Sequence, residues 1–507
     1  MREPVLLHDL LAGNGAEPDR LAIVDGERVW TYGDLARDVQ VLAGRLIDRG
    51  IRRGDRVAIL LPKSLEECAA IFAASRADAV MIPVNPVLKA EQIRHILTDS
   101  GARAIVTNRA TLERHAAAWS GLDNVAVHMV EEIDDGASPT QLPAPSAIGA
   151  DLAAILYTSG STGSPKGVML SHANLLAGTR IVRTYLGITA ADRILSVLPF
   201  SFDYGLNQLL TSVEQGARLV LSSFKLGDEI VADLARHEIT GLAGVPTIWA
   251  ILTKAAPSLK RTALPHLRYI TNSGGAVPEA TVKNLRAALP TTDVFLMYGL
   301  TEAFRSTFLP PGEIDRRPTS IGKAIPECEV FPLTEDGRRA KPGEPGILVH
   351  RGPTVSMGYW RRPEDTRRVL RPNPLRGDDE GQDMVCWSGD LVYADEDGFL
   401  YFVGRRDAMI KSAGFRISPT EVEDVLMSSG QFRQIAAIGI PDEWLGQKLV
   451  AVGVAAADVC DTGSALARAR EVLPTHMVPA RIELVAGLPV TPNGKVDYRA
   501  LVAERTT

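Results

Sequence analysis

Through the first 400 residues, short apolar runs alternate with longer stretches in which apolar residues recur at helical spacing. Val57–Leu61 reads as a strand and Leu65–Ser75 as the helix after it. The helix-like Ala90–Asp99 leads into the strand-like Ala104–Thr107. This alternation predicts an α/β fold with largely parallel sheets, because parallel neighbours are joined through crossovers. Pro199–Leu210 is different and reads as a strand end followed by a helix, with Phe200, Phe202 and Tyr204 presenting aromatic surface at the join. Residues 132–150, acidic and then rich in Pro, Ala and Ser, read as a surface connection. Apolar Phe399–Val403 ends in Gly-Arg-Arg-Asp, and beyond it helix-like Thr420–Ser428 mixes with strand-like Ile435–Ile440 and Val450–Val454. The predicted organisation is a large region of β-sheets flanked by helices, residues 1–403, followed by a small α+β region, residues 404–507.

The length of 507 residues exceeds one core and agrees with two domains. A net charge of −6 argues against a nucleic-acid-binding surface and points to small molecules or proteins as partners. The four cysteines, Cys68, Cys328, Cys386 and Cys460, are far apart and form neither a disulfide framework nor a zinc pattern. The N-terminus shows no signal-peptide pattern. The longest apolar region, Ala69–Val87, is broken by Arg76, Asp78, Pro83 and Pro86 and cannot span a bilayer. A reduced cytoplasmic setting is expected.

The strongest local signal is YTSGSTGSPKG at 157–167, set between apolar Leu152–Leu156 and β-like Val168–Leu170. Glycines let backbone approach an anion, hydroxyls and N–H groups offer donors, and Lys166 adds a positive charge. Pro165 before Lys166 and Gly167 after it depart from the Walker arrangement, so a P-loop NTPase is disfavoured.

That loop is followed by SGG at 273–275, YGLTE at 298–302, WSGD at 387–390, GRRDAMIKSAGFRISPTEVE at 404–423, LPTHMVP at 473–479 and PNGKVD at 492–497. In this order the motifs resemble the AMP-forming adenylating enzymes, which include acyl-CoA synthetases, nonribosomal peptide adenylation domains and luciferases. The resemblance covers nearly the whole chain. It implies ATP and Mg2+, a carboxylic or amino acid, and a thiol acceptor from CoA or from a separate carrier protein. It also implies that the small domain rotates about a hinge at Asp407.

By the same resemblance Lys495 is the catalytic lysine that bridges the carboxylate and phosphoryl oxygens, an electrostatic role. Glu302 is the Mg2+ ligand, since a hard cation prefers a carboxylate. Thr301 donates to the α-phosphate, and Lys166 joins them. Thr158, Ser159, Gly160, Ser161, Thr162 and Gly163 cradle phosphates, Tyr298 stacks on adenine against Gly274 and Gly275, and Asp390 and Arg405 hold the ribose hydroxyls. Lys411, Gly414 and Arg416 line the thiol tunnel.

Asp203 corresponds to the aspartate that pairs with the α-ammonium in amino-acid adenylation domains. An unpaired buried carboxylate is costly, so an amine-bearing substrate leads, with Asp203 as a helix cap the competing reading. Tyr204, Asn207, Ile270, Asn272, Met297, Arg305 and Ser306 match other pocket positions and describe a mixed polar pocket with little room for a long chain. PFSFDYGLNQL at 199–209 and GLTEAFRSTFLPP at 299–311 look similar to small stand-alone members, the proline-loading ligases and exosortase-associated acyl-CoA ligases. Arg305 departs from the mostly apolar pocket of the proline-loading members. The alternatives are an acyl-CoA ligase for a non-amino carboxylate and a catalytically inactive nucleotide-binding homologue.

Overall fold

The structure, a computed structural model, describes residues 3–119, 121–122, 124–132, 142–158, 165–376, 383–406, 409–412, 415–442, 444–457 and 459–506, the side chain of Arg416 aside. It is a mixed α/β protein with a large sheet-rich N-terminal domain and a smaller C-terminal domain.

A six-stranded sheet among the described residues has the spatial order Ala126–Met129, Ala104–Thr107, Arg56–Leu60, Val80–Pro83, Leu152–Thr158, Lys166–Ser171. Its strands run parallel up to the final hairpin, where Leu152–Thr158 and Lys166–Ser171 are antiparallel and Thr158 lies opposite Lys166. The larger sheet holds the parallel strands Leu21–Asp25, Arg218–Leu221, Arg193–Ser196, Gly241–Gly244, Tyr269–Asn272 and Asp293–Leu300 side by side. Several of these are buried along their whole length, as strands covered on both faces must be.

The expectation of largely parallel sheets stops at Leu300. From Ala303–Leu309 onward the sheet continues antiparallel through Ser320–Ala324, Leu400–Arg405, Met384–Ala394 and Gly346–Arg351. Met384–Ala394 alternates buried and less buried positions along much of its length, the period-two pattern of a strand with two unlike faces.

Helix Asp203–Gln215 is buried from Asp203 through Val213 and fills the space under the parallel strands. Gly205 permits its first turn, since a Cβ there would stand 2.2 Å from the carbonyl oxygen of Pro199. The connection at 132–150 is described from residue 142; there Ser146 donates through its N–H (2.7 Å) and hydroxyl (2.8 Å) to Asp78 Oδ2, tying the segment to the surface.

The apolar clusters part between Phe402 and Ile410. Beyond that point Phe432–Asp442 and Gly446–Ala455 form a long antiparallel hairpin, packed on one face by Pro419–Ser428 and Thr462–Val472. Hydrogen bonds are among the contacts that dock this domain on the large one. Lys254 Nζ donates to the Phe432 carbonyl (2.7 Å), Asn85 Nδ2 to the Pro492 carbonyl (3.1 Å) and Thr247 Oγ1 to the Gly494 carbonyl (2.8 Å). Among the described residues, no helix is long and apolar enough to cross a membrane.

Candidate active site

The site lies at the carboxyl ends of the parallel strands Gly241–Gly244, Tyr269–Asn272 and Asp293–Leu300, the edge where open α/β sheets bind ligands. After Asn272 the chain turns through Ser273-Gly274-Gly275, with Gly274 at φ +86°. A Cβ on Gly274 would meet Lys495 Cε at 3.0 Å and Phe202 at 3.4 Å, so this glycine leaves the space that the lysine enters. Lys495 arrives from the small domain on the loop that Thr247 and Asn85 hold, its Nζ 5.1 Å from the centre of the Phe202 ring. Burial lowers its ammonium below the usual lysine range, while the carboxylates of Asp203, Asp390 and Glu302 pull the other way.

On one side of Lys495 stand Tyr298, Asp390 and Arg405. Asp390 and Arg405 face each other across antiparallel strands, with Arg405 Nη1 3.5 Å from Asp390 Oδ1. The Tyr298 hydroxyl donates to Asp390 Oδ2. One face of the Tyr298 ring stacks on His350, centres 6.0 Å apart and planes within 15°. His350 is held neutral, burial pushing it down to about 3, and neither ring nitrogen has a hydrogen-bond partner among the described residues. Burial and Asp390 together push the Tyr298 hydroxyl well above its ordinary value.

Thr301 and Glu302 form the turn between Asp293–Leu300 and Ala303–Leu309. Glu302 Oε1 accepts from the Tyr359 hydroxyl at 2.5 Å, and the Glu302 carbonyl accepts from the N–H of Ser356 at 2.9 Å. Lys166, the positive charge of the phosphate-loop motif, sits 3.0 Å from Asp365 Oδ2, with its Nζ 5.6 Å from the centre of the Tyr359 ring. The segment 359–365 thus steadies both the lysine of the phosphate loop and Glu302.

On the other side of Lys495 lies the acid-side pocket, under helix Asp203–Gln215. Asp203 is not the cap of that helix; Phe202 holds the cap position and Asp203 is the first helical residue. Its carboxylate Oδ2 is 3.6 Å from Arg305 Nη1, and Arg305 Nη2 donates to the Asp203 carbonyl at 3.4 Å. The carboxylate expected to await a substrate ammonium therefore already has a cation within the protein. Tyr204 shares a hydrogen bond with Thr271, and the Arg305 guanidinium lies 4.6 Å from the centre of the Tyr204 ring. Asn272 is spanned at both ends, accepting from Trp249 Nε1 and donating to the Gly275 carbonyl, each at 3.0 Å. Met297 Sδ accepts from the Tyr185 hydroxyl at 3.1 Å, the Ser306 hydroxyl donates to the Ala303 carbonyl at 3.3 Å, and Ile270 is buried.

The structure thus brings Lys495, Gly274, Glu302, Tyr298, Asp390, Arg405 and Asp203 around one cleft. Lys411 is exposed on the small domain, its N–H donating to Gln447 Oε1 at 2.6 Å and its backbone opposite Arg416. Ser159, Gly160, Ser161, Thr162, Gly163, Asp407 and Gly414 lie outside the described residues. Sequence reasoning missed Tyr359, Asp365, His350, Asn85 and Thr247; each acts through a partner far along the chain, and no local pattern marks it.

Residues 12–360 match the AMP-binding enzyme family and residues 421–495 the AMP-binding enzyme C-terminal domain. The chain is 30% identical over 529 residues to a long-chain-fatty-acid–CoA ligase of Salmonella typhimurium, the match covering 95% of this chain and 91% of the relative. It is 33% identical over 491 residues to a feruloyl-CoA synthase of Amycolatopsis, covering 94% of each. Among solved structures, O-succinylbenzoate coenzyme A synthetase of Bacillus subtilis in complex with ATP and magnesium ion superposes with a TM-score of 0.85 at 26% identity, covering 99% of this chain and 100% of that one. The chain belongs to the AMP-binding enzyme family, as an AMP-forming acid–thiol ligase.

Proposed function

We propose that the protein joins a small carboxylic acid to AMP from ATP, releasing pyrophosphate, and then passes the acyl group to the thiol of coenzyme A. Lys495 carries this reading. It is a desolvated cation set beside a glycine turn, where it can cancel charge as a carboxylate oxygen bonds to phosphorus and pyrophosphate leaves. Asp390 and Arg405, held by Tyr298 and their shared strand register, are proposed to orient the ribose, and Lys166 and Thr301 the phosphates. Among the described residues no cluster of three or more metal-ligating side chains exists. That fits Mg2+ held by Glu302 alone on the protein side, because this ion keeps waters and phosphate oxygens as its other ligands. When bound, it would neutralise phosphate charge.

For the second step we place the pivot near Asp407, where the apolar clusters part, and the thiol-side segment at Lys411 and Gly414. A phosphopantetheine arm on a separate carrier protein offers the same thiol and is the second acceptor to test. The supply of ATP and reduced thiol places the reaction in the cytoplasm. An amino-acid substrate loses support because Arg305 occupies Asp203, so a non-amino acid is favoured. The test is acid-dependent pyrophosphate release in ATP and Mg2+, followed by thioester formation with CoA and with a carrier protein. Release with at least one small acid and a thioester to follow are expected; no release with any acid across a broad panel overturns the proposal.

A further inference from the structure

The acid-side pocket holds two buried donors that nothing among the described residues satisfies. Arg305 is 2% exposed and Asn207 is 3% exposed, yet Arg305 Nε and Asn207 Nδ2 have no hydrogen-bond partner. An N–H left buried and unpaired loses its hydration without recompense, so two in one pocket call for an explanation. Asn207 lies one turn after Asp203 on the same helix, a spacing that puts the two side chains on one face. Arg305 holds Asp203 through Nη1, 3.6 Å from Oδ2, and through Nη2, which donates to the Asp203 carbonyl, and this leaves Nε as its remaining donor. The backbone of Arg305 also sits at φ +77°, a left-handed conformation that a non-glycine residue adopts only when its surroundings impose it.

We infer that the acid activated here is short and carries an uncharged oxygen acceptor, a hydroxyl, keto or amide group, that takes the hydrogens of Arg305 Nε and Asn207 Nδ2. This rests on the ligase reading above and names its substrate class. Charge excludes the neighbouring classes. Asp203 already balances Arg305, so a substrate ammonium would place two cations on one carboxylate, and a second substrate carboxylate would face Asp203. A long apolar tail would have to lie against a buried ion pair stacked on Tyr204 and Phe304, whose ring centres are 4.6 and 5.3 Å from the guanidinium.

The test is kcat/KM for acid-dependent pyrophosphate release across matched short acids bearing hydrogen, hydroxyl, keto, amide, ammonium or a second carboxylate, plus a long-chain acid. Sites built to hydrogen-bond a substrate group reject analogues lacking it strongly, so the oxygen-bearing acids should lead their deoxy partners by at least about a hundredfold. Asn207→Leu, and Arg305→Lys, which keeps the charge beside Asp203 but removes Nε, should each shrink that lead, read as the ratio of the two kcat/KM values, by about tenfold or more. A lead for the amino, dicarboxylic, deoxy or long-chain acid, or a lead untouched in both variants, overturns the inference and leaves the ligase reading standing. No release with any acid removes the ligase reading and this inference with it.

Discussion

The two ends of the cleft are built on opposite principles. At the proposed nucleotide end, Glu302 and Lys166 are partly accessible, Glu302 tied to the Tyr359 hydroxyl and Lys166 to Asp365 and the face of the Tyr359 ring. At the acid end, Asp203, Arg305, Asn207 and Asn272 are buried, with Asp203 and Arg305 paired and Asn272 spanned by Trp249 and the Gly275 carbonyl. Accessible charges can change partners when phosphates arrive and leave. A buried pair cannot do so cheaply, and therefore it selects what enters. One end is made for exchange and the other for discrimination.

Removing one member of the buried pair should break this contrast most severely. Asp203→Ala or Arg305→Met leaves an uncompensated buried charge, with an expected loss of about 3–5 kcal/mol in stability measured by denaturant unfolding. The double variant Asp203→Asn with Arg305→Met should recover much of that loss. Equal stability of wild type and both single variants would show that the pair is not buried as described.

Lys495→Ala tests the exchange end. Pyrophosphate release should fall by about 10²–10³, corresponding to ~2.7–4 kcal/mol of transition-state stabilisation, with little change in melting temperature. Thioester formation from preformed acyl-adenylate should be largely retained, because Lys495 comes from the small domain and is proposed to act in one domain arrangement. Equal loss in both half-reactions would remove that assignment.

The same contrast decides what could be read from the chain. The YTSGSTGSPKG, SGG and PNGKVD segments are each contiguous in sequence, so the chemistry proposed for them is written locally. The large sheet-rich N-terminal domain and the smaller C-terminal domain were legible for the same reason, since the elements within each pack with near neighbours. Asp203 was legible as a buried acid but not as a paired one, because its cation lies 102 residues away on a strand. Tyr359 and Glu302, 57 residues apart, meet only once the turn at 301–302 is packed against segment 353–360. The switch to antiparallel pairing after Leu300 escaped because short apolar runs look alike in either direction.

A smaller effect should follow from pH. The acting form of Lys495 is the ammonium, and burial lowers its proton affinity in the folded protein. Adenylation should therefore decline as pH rises, with an inflection below the ordinary lysine value of about 10.4. Asp390→Asn and Glu302→Gln each remove a carboxylate that supports the ammonium, so residual activity in each should show that inflection at still lower pH. Thioester formation from preformed adenylate should lack this limb. An inflection that stays in place in both variants would separate Lys495 from those carboxylates.

The smallest expected effect concerns the docking of the lysine rather than the lysine itself. Thr247 Oγ1 donates to the Gly494 carbonyl at 2.8 Å, one residue before Lys495, across the boundary between the domains. Thr247→Val keeps the shape and removes the donor, which should cost on the order of 1 kcal/mol, or about fivefold in pyrophosphate release. If, as proposed, the small domain presents Lys495 in one arrangement only, the thioester half-reaction should keep its rate or gain slightly as this arrangement is destabilised. Glycine 494 stays in place, so the loop keeps its turn and the effect is confined to docking. A matching fivefold drop in both half-reactions would place Thr247 in general stability instead, and unfolding measurements would then show the same loss.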